Sequence, residues 1–239
     1  KEYRQVFSQL YKTLKEENVD FIIHTGDIAH TKTQISPEFV ELASDFLSSL
    51  ADIAPTYVLL GNHDGNLKNS ARQDALTPIV QNLKHPDLHL FKGYEQVNLS
   101  EKFVLHAMCV FDDQTNWNLE PDQDFINIAL HHGAVRGSET DIGWVLEGEV
   151  NLETFENFDY GFFGDIHKSR TLESQTTKVF LFGTLKTKKV LLVSTFLSPT
   201  PSLSSQSSLQ RPEDYQEALI SHQVPEFVLF QSTITRSQP

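Results

Sequence analysis

At 239 residues and 39% hydrophobic content, the chain can bury one good core, or one core plus a small appendage. A formal net charge of -13 argues against a protein that grips nucleic acid mainly by releasing counterions, and no apolar stretch approaches the length of a membrane span. The single cysteine, Cys109, permits no internal disulfide, which suits a reducing compartment such as the cytoplasm, and its apolar flanks read as core packing.

In chain order, the sequence begins at Lys1 and enters a helical pattern with no strand before it, as a fragment or trimmed product would. Val6, Phe7, Leu10, Tyr11 and Leu14 recur at helical spacing over residues 3 to 17, predicting a helix that packs on a sheet. Phe21 to Thr25 is a short buried strand ending in Gly26 and Asp27. Ser36 and Pro37 form a helix start, with Phe39, Val40, Leu42, Ala43, Phe46, Leu47 and Leu50 on the buried face. Pro55 and the strand beginning at Tyr57 follow, so strand, helix, strand predicts parallel pairing through a right-handed crossover.

Residues 73 to 83 predict another helix, and Leu88 to Phe91, Val97 to Leu99 and Phe103 to Val110 predict strands. Asp122 to Leu130 leads through a strand into paired histidines. An acidic helical stretch around Glu153 to Asn157, preceded by Trp144 to Leu146, comes before the Tyr160 strand. The implied architecture is α/β, two packed mixed sheets flanked by helices. From Leu185 onward this pattern stops, and Ser198 to Gln210 is dominated by serine, proline, threonine and leucine. The division is therefore 1–185 as a folded unit and 186–239 as an atypical, flexible segment, in which Phe227 to Phe230 could form a short strand.

The chemistry gathers at strand ends. Leu59-Leu60-Gly61-Asn62-His63-Asp64 is an apolar run that breaks into glycine and three polar residues. The same design recurs in Phe21-Ile22-Ile23-His24-Thr25-Gly26-Asp27, in Ile128-Ala129-Leu130-His131-His132-Gly133 and in Phe162-Phe163-Gly164-Asp165-Ile166-His167. Converging on one rim, these ends would offer carboxylate oxygens from Asp27 and Asp165, an amide oxygen from Asn62 and imidazole nitrogens from His132 and His167. That set suits manganese, iron, zinc or magnesium. Two such ions about 3.5–4 Å apart can activate a water and neutralise phosphate charge, so phosphate ester hydrolysis is the natural reaction. His63 is placed as the acid for the departing oxygen, with Asp64 holding its tautomer and raising its pKa. His131 reads as a neighbour on the opposite face of its strand, His24 as a sheet residue, and His85, His89, His106 and His222 have no such context.

Gly26-Asp27-Ile28-Ala29-His30, Gly61-Asn62-His63-Asp64, His132-Gly133 and Gly164-Asp165-Ile166-His167 together resemble the ordered motifs of the calcineurin-like metallophosphoesterase superfamily, closest to its SbcD-like nuclease subunits, phage-encoded forms included. The resemblance covers roughly Lys1 to Leu185 and implies a four-layer αββα fold. It implies that Asp27 bridges two metal ions, most readily Mn2+, that Asn62, His132 and Asp165 complete the second site, and that His167 binds the first. By the same resemblance His63 assists the leaving group and His30 helps place DNA. The family usually has histidine where this chain has Asp165, which implies a changed metal preference. It also has an Asp-x-His motif on an opening strand, which would lie upstream of Lys1. Without that strand the chain is expected to leave a gap in the sheet, to bind one metal poorly and to be inactive, whereas the full-length protein is expected to be a two-metal enzyme.

The function so implied is hydrolysis of DNA phosphodiesters by a repair or recombination nuclease, cytoplasmic in a bacterium or a phage-infected host. Its expected partners are DNA and an SbcC-like SMC-type ATPase, with homodimer formation as an option and no membrane. A phosphoesterase acting on nucleotides or phosphoproteins keeps the same chemistry, and a non-catalytic assembly module is the alternative from a different class.

Overall fold

Every third or fourth residue of the first helix is apolar, and the computed structural model buries that stripe. It describes residues 2–29, 35–69, 71–136, 147–148 and 150–165, together with strands at 170–172, 179–182, 190–194 and 226–230. Helix α1 (Glu2–Glu16) turns Phe7, Leu10 and Leu14 inward, and the Phe7 ring lies 4.3 Å from that of Phe46 on helix α2 (Pro37–Ala51). As the Ser36-Pro37 pair predicts, α2 starts with the Ser36 hydroxyl accepting a bond from the Phe39 N–H at 3.2 Å and with proline in its first turn. Its buried face is Ala43, Phe46, Leu47, Leu50 and Ala51. Val40, expected on that face, is 39% exposed.

The strands β1 (Phe21–His24) and β2 (Thr56–Leu59) are buried at every residue, as strands covered on both faces must be. They pair in parallel, Ile22 opposite Thr56, and β2 pairs in parallel with β3 (Leu88–Phe91). The second sheet is built from β4 (Glu95–Asn98), β5 (Phe103–Met108), β6 (Ile126–His132), β7 (Tyr160–Gly164), β8 (Arg170–Leu172) and β9 (Val179–Phe182), in the order β4-β5-β6-β7-β9-β8. The first sheet runs β11-β10-β1-β2-β3, where β10 (Val190–Ser194) and β11 (Glu226–Phe230) come from the segment after Leu185. Strand β10 lies antiparallel against β1, Phe21 opposite Val193. The gap expected beside β1 is therefore filled, and the backbone polar groups on that edge are paired.

One hydrophobic cluster joins Phe46, Leu47 and Leu50 of α2, Ile22 and Ile23 of β1 and Val58 of β2 to Leu105, Ile128, Leu130 and Phe162 of the second sheet. The alternate residues Ala129 and Phe163 face the other way, into a smaller cluster with Trp117, Phe155 and Phe158. That outer face is covered by a 3-10 turn, Leu152–Phe155, where the acidic pattern predicted a helical stretch around Glu153 to Asn157, and Trp144 to Leu146 lie outside the described residues. Helix α3 (Thr77–Leu83) starts four residues later than its pattern suggests. The buried Asp74 carboxylate explains the delay: it accepts from the N–H groups of Leu76 and Thr77 and from the Thr77 hydroxyl, and so holds a turn there instead. Because β1 and β2 run in parallel, as do β6 and β7, each pair delivers its C-terminal loops to one end of its own sheet.

Candidate metal centre

Four strand ends meet there. Beyond β1, Gly26 and Asp27 both take left-handed backbone angles, φ 100 and φ 60, and Asp165 beyond β7 does the same at φ 69. For an aspartate this conformation is uncommon and marks a backbone held by its surroundings. Both carboxylates are thereby turned towards His132 at the end of β6, and ligand atoms of Asp27, His132 and Asp165 lie within 4.8 Å of one another.

His132 is fully buried, and its Nδ1 lies 2.6 Å from the Thr25 carbonyl, so Nδ1–H donates to that oxygen. This fixes the tautomer and leaves Nε2 with a lone pair pointing to the cluster. Nε2 has no hydrogen-bond partner and sits 3.3 Å from Asp27 Oδ1. Asn62 repeats the pattern: its Nδ2 donates to Asp165 Oδ1 at 3.0 Å, while its Oδ1 is buried and without a partner. Unsatisfied buried polar atoms are costly and uncommon, and two of them beside two carboxylates make a pocket of Lewis bases. The residues present fit a divalent cation with oxygen and imidazole ligands.

The electrostatics agree. Burial alone would raise the Asp27 carboxyl, but the adjacent His132 ring and the backbone N–H of His63 hold it below the usual carboxylate range. Burial alone would lower His132, but Asp27, the Thr25 carbonyl and Asp165 hold it above the usual histidine value.

Glycines set the walls. A Cβ on Gly26 would stand 2.6 Å from His132 Nδ1 and 2.8 Å from the Gly61 nitrogen. On Gly61 it would strike Asp27, and on Gly164 it would strike His132 and the Thr25 carbonyl. The imidazole is therefore caged by three glycines, one from each neighbouring strand end. Sequence reading took these glycines as strand terminators; their recurrence at every polar strand end is the signal that they also make room.

Asp64 has a structural task that the sequence did not suggest. Its carboxylate is fully buried and accepts from three main-chain N–H groups: Asp27 at 2.9 Å, Gly61 at 2.9 Å and Ala29 at 2.7 Å. It braces the two metal-site loops against each other. Burial pushes its carboxyl up to about 6, against the backbone N–H groups of Ala29 and Gly61. His63 is exposed at the rim, and its own N–H donates to Asp27 Oδ1 at 2.9 Å. His30 and His167 lie outside the described residues.

His131, His24 and His106 are built into the fold, and His222 lies outside the described residues. His131 is buried on the opposite face of β6, against Trp117, Phe155 and Phe163, with Nδ1 2.8 Å from the Met108 carbonyl, and burial brings its pKa down to about 4. His24 accepts from the Gly26 N–H at 3.1 Å. His106, for which the sequence offered no context, joins Tyr94 and Asn127 in a buried polar chain with both contacts at 3.0 Å. The buried Cys109 thiol is pushed up to about 12 by burial, which keeps it un-ionised.

The sequence matches the family model for calcineurin-like phosphoesterases over residues 2–169. It is also similar to an uncharacterized protein of Acanthamoeba polyphaga mimivirus, 38% identical over 193 residues, a match that takes in 74% of this chain and 14% of the viral one. The chain thus spans a small part of that relative's length. Among the described residues, no helix is long and apolar enough to cross a membrane.

Proposed function

Given that the chain belongs to the calcineurin-like phosphoesterase family, whose activity is metal-dependent phosphoester hydrolysis, we propose that its centre cleaves DNA phosphodiesters, as the nuclease subunit of a repair or recombination complex. The observation that carries the reading is the pair of buried, unpartnered ligand atoms, His132 Nε2 and Asn62 Oδ1, beside Asp27 and Asp165. Asp27, Asn62, His132 and Asp165 would hold a divalent ion, with His167 completing a neighbouring site by resemblance. Divalent ions, when bound, supply Lewis-acid chemistry, polarising a phosphoryl oxygen and making water a better nucleophile.

The chain's own residues do the rest. Thr25 and the three glycines keep the His132 ring in its ligating orientation, and Asp64 keeps the Asp27 and Gly61 loops in register. His63, exposed beside Asp27, is placed to give a proton to the departing oxygen. DNA as substrate is supported by the likeness of Gly26-Asp27-Ile28-Ala29-His30 to the nuclease motif, in which His30 would meet the scissile phosphate. The net charge of -13 leaves the main grip on DNA to a partner, for which an SMC-type ATPase is the proposal, with manganese as the working ion. The viral relative carries its matching part within a much longer chain, in keeping with a phosphoesterase unit that works beside a larger body. The same acidic charge favours a second reading, hydrolysis of nucleotides or phosphoproteins.

Labelled duplex DNA and bis(p-nitrophenyl) phosphate, incubated with Mn2+ and the chain, test the choice. Metal-dependent cleavage of both, abolished by chelator and lowered at least 100-fold in kcat by His63→Ala, is the expected result. DNA left intact even with the ATPase present, while a nucleotide is hydrolysed, would replace the nuclease reading with the second one.

A further inference from the structure

Asn62 and Asp165 are 103 residues apart, yet Asn62 Nδ2 donates to Asp165 Oδ1 at 3.0 Å. The bond ties the loop after β2, in the first sheet, to the loop after β7, in the second. It also settles the orientation of the amide. Turned over, the carboxamide would set its oxygen against the Asp165 carboxylate, acceptor against acceptor. With nitrogen towards Asp165, the buried Oδ1 is committed to the side where it has no protein partner. The Asp165 backbone itself stands at φ 69, directly after Gly164, where a Cβ would strike His132.

Resting on the reading that this centre holds a divalent ion, we propose that Asn62 and Asp165 act as one hydrogen-bonded unit that makes the centre oxygen-rich and tilts it towards hard ions, Mn2+ and Mg2+, relative to Zn2+. Among the described residues the donor set is three oxygens, from Asp27, Asn62 and Asp165, and a single nitrogen, His132 Nε2. Carboxylate and carbonyl oxygens suit magnesium and manganese, whereas imidazole suits zinc. The unit needs a carboxylate at 165. An imidazole that ligates through one nitrogen carries a proton on the other and would offer the Asn62 Nδ2 no acceptor. Asp165 is therefore a residue that selects the metal as well as a ligand, and Asn62 positions it.

The test is calorimetric titration of the metal-free chain with MnCl2 and with ZnCl2, comparing the ratio of the two dissociation constants in wild type, Asp165→His and Asn62→Ala. Circular dichroism checks that each is folded, and the Mn2+ electron paramagnetic resonance line shape gives a second readout. Asp165→His is expected to move the ratio at least tenfold towards Zn2+. Asn62→Ala, which removes one oxygen and releases Asp165, moves it the same way, and it carries the test if Asp165→His does not fold. An unchanged ratio in the folded variant overturns the inference and leaves the hydrolysis reading standing. A shifted ratio in a protein that leaves DNA uncut supports the inference and strikes only the substrate. A wild-type chain that binds neither ion overturns both.

Discussion

Replacing Asp64 separates a brace from a catalytic partner. Its carboxylate receives three main-chain N–H bonds of 2.7 to 2.9 Å, two of them at Oδ2, from Asp27 and Gly61, and one at Oδ1, from Ala29. Asp64→Ala leaves three buried donors without an acceptor. At about 1–3 kcal/mol for each, less what entering water restores, the loss is about 3–6 kcal/mol. Asp64→Asn can keep its oxygen where Oδ2 was, but its NH2 then faces the Ala29 N–H, donor against donor, for a loss of about 1–3 kcal/mol. For a chain of this size each kcal/mol lowers Tm by about 2–4 °C, so alanine should cost at least about 6 °C and asparagine roughly a third to a half of the alanine effect. Thermal and urea unfolding at pH 7.5, above the value of about 6 to which burial pushes the Asp64 carboxyl, measures both. Mn2+ affinity should fall in the same order, since Asp27 loses the hold on its left-handed backbone. Asp64→Ala with wild-type stability and metal affinity would refute the brace.

Gly26→Ala places a Cβ 2.6 Å from His132 Nδ1 at a φ of 100, so it should cost about 1–3 kcal/mol and weaken Mn2+ binding at least tenfold, measured by unfolding and calorimetry. His131 takes its proton only near pH 4 when folded, against about 6.5 when unfolded. As pH falls through that window the unfolded chain is protonated first, so stability drops by up to about 3 kcal/mol. His131→Phe should flatten that part of the stability profile between pH 6.5 and 4, as read from urea midpoints. Mn2+ at about 100 times its Kd should raise Tm by roughly 5–11 °C, and chelator should reverse it. His132→Ala should abolish that rise.

Much of the centre could be read from the chain because each contributing strand is an apolar run that ends in glycine and a metal-binding side chain. Ser36 and Pro37 marked the start of α2 for an equally local reason, a hydroxyl cap followed by a residue that needs no N–H bond. What escaped the reading depends on contacts between distant residues. Asp64 reads as the partner of its neighbour His63, and only the approach of the β1 loop, 35 and 37 residues away, shows that its carboxylate also receives main-chain N–H groups. The delayed start of α3 follows from Asp74, whose burial and ion pair with Lys92 at 2.9 Å are tertiary facts. Strand β10 carries a local signal of its own, the apolar run Val190-Leu191-Leu192-Val193, which the serine- and proline-rich stretch after it obscures; that it pairs with β1 is decided by the open sheet edge as much as by the segment. His106 shows the converse. It carried no motif because its partners, Tyr94 and Asn127, sit on other segments of the second sheet region.

Anomalous diffraction from crystals of this chain soaked in MnCl2 tests the centre most directly. A manganese peak within coordination distance of His132 Nε2, Asn62 Oδ1 and the Asp27 and Asp165 carboxylates is the predicted result. Manganese found elsewhere, with His132 Nε2 and Asn62 Oδ1 still unpartnered, would contradict the metal centre and the hydrolytic function built on it.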